Sequence, residues 1–331
     1  MKNGNKEKKF LLIGGSGRSG TTILSQAMAM HRDLSDVPEW RFATDPDGVI
    51  DFYNAASNGV NSPFHYDLRL KRLERMLLQL SSASFFKKCI GSAKFRGFNS
   101  KIFGVGMSTA YAGFQCDRYA PSFSVLVKDF IASLYDFSYD GYWVGAKAFD
   151  NLNIRFSEKD VLEIKACCRA FLLAVADDVC RNQGVKYHLE KNTWNILFFE
   201  KMLEIMPEAR LVHIIRDPRD VVASYTQQPW VPDDYTQAAK VYASVMQGWK
   251  KSKKSIPEHT YKEIKLEELT GDPERYFKEI CQFWGLEWDQ KLMDVALSDS
   301  SFGRWKKDIP KEQLPSIEAI LAPTLEKYGY V

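Results

Sequence analysis

Apolar runs too short to be helices alternate along this chain with longer amphipathic stretches. Residues 10–13 form the first such run and are expected as a buried strand; residues 21–30 then take helical spacing. Helices are predicted over 68–80 and over 157–181, the latter with Ser157 as its N-cap and an end near Gly184. Strand 185–189, helix 193–206 and apolar strand 211–215 follow, and Asp217 or Pro218 opens the next helix. Residues 233–254 are helical, 261–266 alternate like a strand, and Asp272-Pro273 opens a helix ending near Gly285. A last helix is predicted over 313–328. Pro38 stops any helix before it, residues 43–65 read as loop around the turn Asp45-Pro46-Asp47-Gly48, and 81–145 are irregular. Strands alternating with helices predict an α/β fold of three layers, a central parallel sheet covered by helices on both faces. The sheet is expected to be interrupted by a mostly helical insertion at about 45–185 within one domain, 10–331.

The turn after the first strand carries candidate chemistry. Gly14, Gly15, Gly17 and Gly20 let the backbone curl tightly, and Thr21 opens a helix. Such a loop aims several N–H groups at one point at the positive end of a helix, a site for phosphate or sulfate. The hydroxyls of Ser19, Thr21 and Thr22 add donors. Aligned on the pattern G-x-x-x-x-G-K-[ST], Gly15 and Gly20 match and Thr21 stands where the lysine belongs. The cation has moved to Arg18, inside the loop, which suits a transferring group less charged than a triphosphate terminus. The bland alternative is a glycine-rich turn of an ordinary α/β sheet.

Composition removes some classes of partner. The chain has 331 residues, 45% hydrophobic and 26% charged, with a formal charge of +3. That balance argues against nucleic acid as the main partner. The six cysteines have no C-x-x-C spacing, so neither a zinc site nor a disulfide framework is expected, and a reducing, cytoplasmic setting is. Residues 1–9 are polar, with four lysines, and are expected to be a disordered tail. The apolar run after them is too short for a leader or for stable membrane insertion.

A second anion site is expected at residues 211–225. Arg216 ends a buried strand, where ligands of open α/β sheets bind, and Ser224 lies two turns into the next helix. Arginine grips phosphate by a charged fork and serine adds one donor. The alternative is a strand-end arginine paired with Asp217 or Asp220.

Together the two stretches resemble a family. Gly17-Arg18-Ser19-Gly20-Thr21-Thr22 looks like the 5′-phosphosulfate loop of sulfotransferases that use 3′-phosphoadenosine-5′-phosphosulfate (PAPS). Arg216 through Ser224 looks like their 3′-phosphate segment. The loop arginine is closer to the tyrosylprotein and bacterial branch than to the cytosolic one. Further blocks follow in the family's order: His31 to Leu34 with Pro38-Glu39-Trp40-Arg41, then Glu190-Lys191-Asn192-Thr193 with an extra Asn and Trp194 in place of proline. Leu266-Glu267-Glu268-Leu269 with Asp272-Pro273, and Ser301 to Trp305 with Gly303 and Arg304, complete them. Leu266 stands where relatives carry an aromatic residue, and nothing matches between about 45 and 185.

The resemblance implies transfer of a sulfuryl group from PAPS to a hydroxyl or amine acceptor by in-line displacement. It makes Glu39 the general base, with Arg18 and Lys191 as cations on the transferring group. Gly17, Arg18, Ser19, Gly20, Thr21, Thr22, Arg216, Ser224, Gly303 and Arg304 would hold the donor, whose product is 3′,5′-adenosine bisphosphate. No metal is expected, since no polyphosphate must be neutralised. Glu39 could instead be a surface carboxylate paired with Arg41 or Arg32, and Lys191 could pair with Glu190. His188, just before Lys191, is the rival base, whereas His213 inside an apolar strand reads as core. Two other functions compete: a nucleotide-dependent kinase and a catalytically silent nucleotide-binding protein. The acceptor, whether small molecule, sugar, lipid or peptide, is not disclosed. Its specificity is expected in 45–185, with Tyr111, Phe114, Tyr119, Tyr142 and Trp143, and in Gln227 to Tyr235 with its rigid Pro229-Trp230-Val231-Pro232. The basic cluster Lys87, Lys88, Lys94, Arg96 and Lys101 reads as a solvated face.

Overall fold

Four strands pair in one sheet, in the spatial order His188–Lys191, Phe10–Gly15, Ala209–Ile215, Tyr261–Lys265. The computed structural model that gives this arrangement describes residues 10–59, 62–81, 115–143, 152–295, 297 and 302–331. The expected N-terminal tail, the basic cluster at 87–101, Tyr111, Phe114 and Ser301 lie outside those residues. Phe10–Gly15 runs parallel to Ala209–Ile215 in a register that pairs Phe10 with Ala209 and Gly15 with Ile214. Ala209–Ile215 in turn runs parallel to Tyr261–Lys265, with Ile215 beside Lys265. The strand after Phe10–Gly15 in the sheet's chain order lies on one side of it and the next lies on the other. That reversal opens a crevice at the carboxyl ends of the strands.

Phe10–Gly15 is buried along its whole length, as a strand covered on both faces must be. Helix Asn195–Ile205 packs on it and on Ala209–Ile215, while Tyr235–Ser252 packs on Pro218–Tyr225 and Leu314–Tyr328. The boundaries of these helices follow local chemistry. Asp217 accepts the Arg219 N–H at 2.9 Å with Pro218 in the first turn, and Asp234 accepts the Gln237 N–H at 2.8 Å. Gly285 takes φ 63° to end Pro273–Trp284. On the outer strand the Glu263 carboxylate accepts from Trp249 Nε1 at 2.6 Å, Lys253 Nζ at 2.9 Å and the Tyr328 hydroxyl at 2.7 Å. One carboxylate thereby fastens the sheet edge to both helices outside it.

The chain divides into two compact units, residues 10–36 with 189–331, which contain the sheet apart from His188, and Val37–His188. The second is mostly helical: Val49–Ser57, Pro63–Leu80, Phe123–Ser133 and Val161–Gln183, with an antiparallel hairpin of Phe137–Asp140 and Asn153–Phe156. Aromatic rings fill its core. Phe130 stacks on Phe171 at 4.4 Å between centroids, Phe42 meets Phe171 edge-on at 5.9 Å, and Trp40 is fully buried beside Phe123.

Several details differ from the sequence expectation. Residues 81–145, expected as irregular, contain the helix Phe123–Ser133 and the strand Phe137–Asp140, and the strand expected at 185–189 is His188–Lys191. A helix, Val49–Ser57, occupies part of the stretch expected as loop, burying Val49, Phe52, Tyr53 and Ala56 at helical spacing. The turn residues before it and Gly59 after it hide that period. The long helix begins at Val161, and its N-cap is Asp160 instead of Ser157. Asp160 accepts the Glu163 N–H at 2.9 Å while Glu163 accepts the Asp160 N–H at 2.8 Å. This reciprocal pair satisfies two orphan donors where a serine would satisfy one.

Within the helical unit the buried Lys71 ammonium donates to Asp67 at 2.7 Å and to the Asn153 carbonyl at 2.6 Å. Asp67 also accepts the Arg155 N–H at 3.1 Å, so the pair ties a helix to the hairpin. Removing one partner leaves a buried charge alone, which costs about 3–5 kcal/mol. Asp67→Ala is therefore expected to lower urea-denaturation stability by that amount, and an unchanged midpoint would remove the pair from the account.

Candidate active site

The Phe10–Gly15 strand delivers the chain into a loop that only certain residues tolerate. A Cβ on Gly15 would lie 2.3 Å from Ser19 Oγ and 3.0 Å from the Ile214 carbonyl, so the turn closes only on glycine. Gly17, Arg18 and Gly20 all take left-handed backbone conformations, at φ 83°, 55° and 103°. For Arg18, which is not glycine, that conformation is uncommon and carries a cost. Helix Thr21–Met28 begins directly after Gly20, and no side chain caps it. Its first N–H groups remain available at the positive end of the helix. The Ser19 side chain is fully buried and its hydroxyl has no hydrogen-bond partner. Such an orphan fits a loop built around an anion acceptor.

The second motif reaches this loop directly. Arg216 Nη1 donates to the carbonyl of Arg18 at 3.3 Å, and Arg18 Nε donates to Ser224 Oγ at 3.0 Å. Arg216 and Ser224 are both buried, at 6% and 2% exposure. Arg216 also lies 3.5 Å from Asp220, so the alternative pairing with that carboxylate forms as well as the link to the loop. Asp220 accepts the backbone N–H groups of Gly303 at 2.9 Å and Trp305 at 3.1 Å, and the Phe302 ring lies 6.0 Å from the Arg216 guanidinium. Through one carboxylate the 302–305 segment is thus joined to Arg216 and from there to the loop. The Arg304 side chain is engaged on its own turn, where Nε donates to Asp308 at 2.7 Å.

Lys191 ends the strand on the other side of the loop and is 9% exposed. The following Asn192 N–H donates to the Ile13 carbonyl at 3.2 Å, the Asn192 side chain accepts from Trp194 N at 3.0 Å, and Asn195 Nδ2 donates to Ile13 at 3.0 Å. The extra asparagine therefore builds the strand-to-helix turn. Glu39 belongs to the Val37–His188 unit, where its carboxylate accepts from Arg41 Nη2 at 2.9 Å. Leu266 packs on the far end of the loop, 2.8 Å from where a Cβ on Gly20 would sit.

The structure gives several residues roles that their local sequence does not show. Asp220 was weighed only as a competitor for Arg216, although its i+4 spacing places the two side chains one turn apart. Tyr225 donates its hydroxyl to the Ser16 carbonyl and underlies the loop; burial raises its pKa, keeping it protonated. Trp194 and Trp230 meet edge-on at 6.1 Å beside it. Glu267 accepts from Asp217 N at 2.9 Å and from the Tyr330 hydroxyl at 2.8 Å, fixing the start of the Arg216 helix. Among the described residues no cluster of metal-ligating side chains is present, and no helix is long and apolar enough to cross a membrane.

Among the described residues His31, His188 and His213 are buried. His213 stands edge-on to Trp249 at 5.1 Å. His188 lies beside Trp40 with ring centroids 6.0 Å apart, and burial pushes its pKa down to about 4. That burial suits packing better than proton transfer. A folded pKa below the unfolded value of about 6.5 means the unfolded chain takes the proton first as pH falls. The contribution of His188 is full above about pH 6.5 and is lost on acidification towards pH 4, by about 3 kcal/mol. Urea denaturation between pH 7.5 and 4, with His188 followed by imidazole NMR, is expected to show a neutral ring at pH 5 and falling stability; a ring protonated at pH 6 would contradict this.

Comparison with known proteins bears on the family and the fold. A family model described as Sulfotransferase family matches residues 11–290. Omega-hydroxy-beta-dihydromenaquinone-9 sulfotransferase Stf3 of Mycobacterium bovis is 21% identical over 156 residues, 42% of this chain and 40% of its own length, and so is the protein of that name from Mycobacterium tuberculosis. The chain spans less than half the length of these curated relatives. Two solved structures share its fold. The sulfotransferase domain of the Synechococcus PCC 7002 olefin synthase aligns at 15% identity and TM-score 0.51, covering 98% of this chain and 97% of that one. The sulfotransferase domain from the curacin biosynthetic pathway aligns at 12% identity and TM-score 0.50, covering 96% and 97%. With a glycine loop, a strand-end arginine and a family match over most of its length, this chain belongs to the sulfotransferase family.

Proposed function

We propose that this protein transfers a sulfuryl group from PAPS to a hydroxyl or amine acceptor. The observation that carries the proposal is the hydrogen bond from Arg216 to the Arg18 carbonyl, which unites the two anion-binding motifs in one network. A donor with phosphate groups at two ends needs two cradles in one crevice. The orphaned Ser19 hydroxyl and the uncapped helix at Thr21 fit one end, and Arg216 with Ser224 fits the other. Bound PAPS would supply an activated sulfuryl group.

Gly17, Ser19, Gly20, Thr21 and Thr22 would hold the 5′ side through N–H and hydroxyl donors. Arg216, Ser224 and the Gly303-Arg304 backbone would hold the 3′-phosphate, with Asp220 fixing the last two against the first. Arg18 and Lys191 are assigned to the charge that develops on the peripheral and bridging oxygens during displacement. Glu39, assigned by its place in Pro38-Glu39-Trp40-Arg41, accepts the acceptor's proton. This chemistry calls for no metal. The acceptor is a small molecule, sugar, lipid or peptide; nucleic acid is not among the proposed partners, and the reaction is placed in the cytoplasm. We also keep the chain as a single catalytic domain in which Val37–His188 serves the acceptor side.

Calorimetry and thermal denaturation test the donor assignment. The bisphosphate product is expected to bind and stabilise the protein without metal, whereas ATP with Mg²⁺ does not. Arg216→Ala is expected to weaken bisphosphate binding about 10- to 100-fold. Stabilisation by ATP with Mg²⁺ alone would favour a kinase. In turnover with labelled PAPS and a panel of acceptors, Glu39→Gln is expected to lower kcat by about 10²- to 10⁴-fold with bisphosphate affinity unchanged. Near-normal turnover would remove Glu39 from the mechanism, and bisphosphate binding without turnover of any acceptor would indicate a silent binding protein.

A further inference from the structure

Trp230 is 48% exposed, although it is among the largest apolar side chains of the protein. It is nonetheless firmly placed. Its Cη2 lies 3.1 Å from where a Cβ on Gly17 would sit, so the ring rests on the phosphate loop. Tyr225 meets it edge-on at 5.2 Å between centroids and 68°, and Trp194 at 6.1 Å and 85°. Tyr225 is itself buried and bonded to the Ser16 carbonyl. Pro229 and Pro232 restrict the backbone on either side, Val231 is buried, and Gln228 N donates to the Tyr225 carbonyl at 2.8 Å. An exposed aromatic face held by this many contacts marks a prepared ligand surface, because little ordering entropy remains to be lost on binding.

The position of the ring says which ligand. Thr193, whose methyl lies 3.2 Å from the same Gly17 Cβ position, and Trp194 follow Lys191 in the chain after one residue, Asn192. The aromatic pair therefore borders the Lys191 end of the loop, while the Gly20 end is covered by Leu266. We infer that Trp230, supported by Trp194, is the stacking surface for the acceptor, and that the acceptor carries its hydroxyl on or beside a flat ring. This rests on the sulfuryl-transfer reading. A ring gains from offset stacking on the indole in addition to area burial, whereas an acyclic alcohol of similar size gains only the burial.

The test titrates the full-length protein, with and without 3′,5′-adenosine bisphosphate, against naphthol, methyl glucoside and octanol, following tryptophan fluorescence and heat. Naphthol is expected to bind saturably about tenfold tighter than octanol, and tighter than methyl glucoside, whose puckered ring has no π face. Preference for naphthol identifies an aryl acceptor. Trp230→Ala is expected to abolish the preference, and Trp230→Phe to retain most of it, with bisphosphate affinity changed less than about threefold in both. Octanol or methyl glucoside binding as tightly as naphthol, no saturable naphthol binding, or naphthol selectivity that survives Trp230→Ala would overturn the inference. Wild-type protein that binds rings but not the bisphosphate would instead overturn the donor assignment, so the two failures are distinguishable.

Discussion

Everything proposed for this protein depends on how tightly the backbone can turn between Gly15 and Thr21. The turn needs a bare backbone at Gly15, because Ser19 and the Ile214 carbonyl already occupy the space a side chain would take. It also needs three left-handed residues, one of them the arginine whose carbonyl then receives Arg216. A looser turn would leave the helix N-terminus, the Ser19 hydroxyl and the Arg18 carbonyl pointing at different places. The parallel pairing of Phe10–Gly15 with Ala209–Ile215 supplies the other half of the constraint, since it ends both strands at the same level. Arg216, one residue past the second strand, is thereby set against the loop.

Support for this arrangement comes from residues with no direct part in transfer. Asp220 holds Arg216 on one side and the Gly303 and Trp305 amides on the other, so a segment some eighty residues further along the chain is fixed to the same guanidinium. Asp217 caps the helix and pairs bidentately with Arg219, which lies 4.2 Å from the Trp305 ring. Buried groups tied together in this way resist rearrangement, because moving one leaves another unpaired in a low-dielectric interior. The crevice is therefore expected to be rigid on this side.

Much of this was legible in the sequence because its signals are local. The strand–glycine–helix order at residues 10–28 and the Asp-Pro helix starts at Asp217 and Asp272 are short-range chemistry. The link between the two anion motifs was only an expectation, since it depends on strand register across about 200 residues. The helix Val49–Ser57 was hidden by flanking turn residues, and the long helix chose Asp160 over Ser157 because the reciprocal partner Glu163 lies at the right spacing. The roles of Trp194 and Tyr225 beside the loop could not be read at all. Nothing in their local sequence separates a core aromatic from one placed beside the loop.

Amide hydrogen exchange tests the central claim, that the loop and the Arg216 network form one binding site, most directly. With 3′,5′-adenosine bisphosphate added, exchange is expected to slow together in segments 16–22, 216–225 and 302–305, with the same dependence on its concentration. Slowing confined to one of these segments, or midpoints that differ from segment to segment, would contradict a single two-ended site.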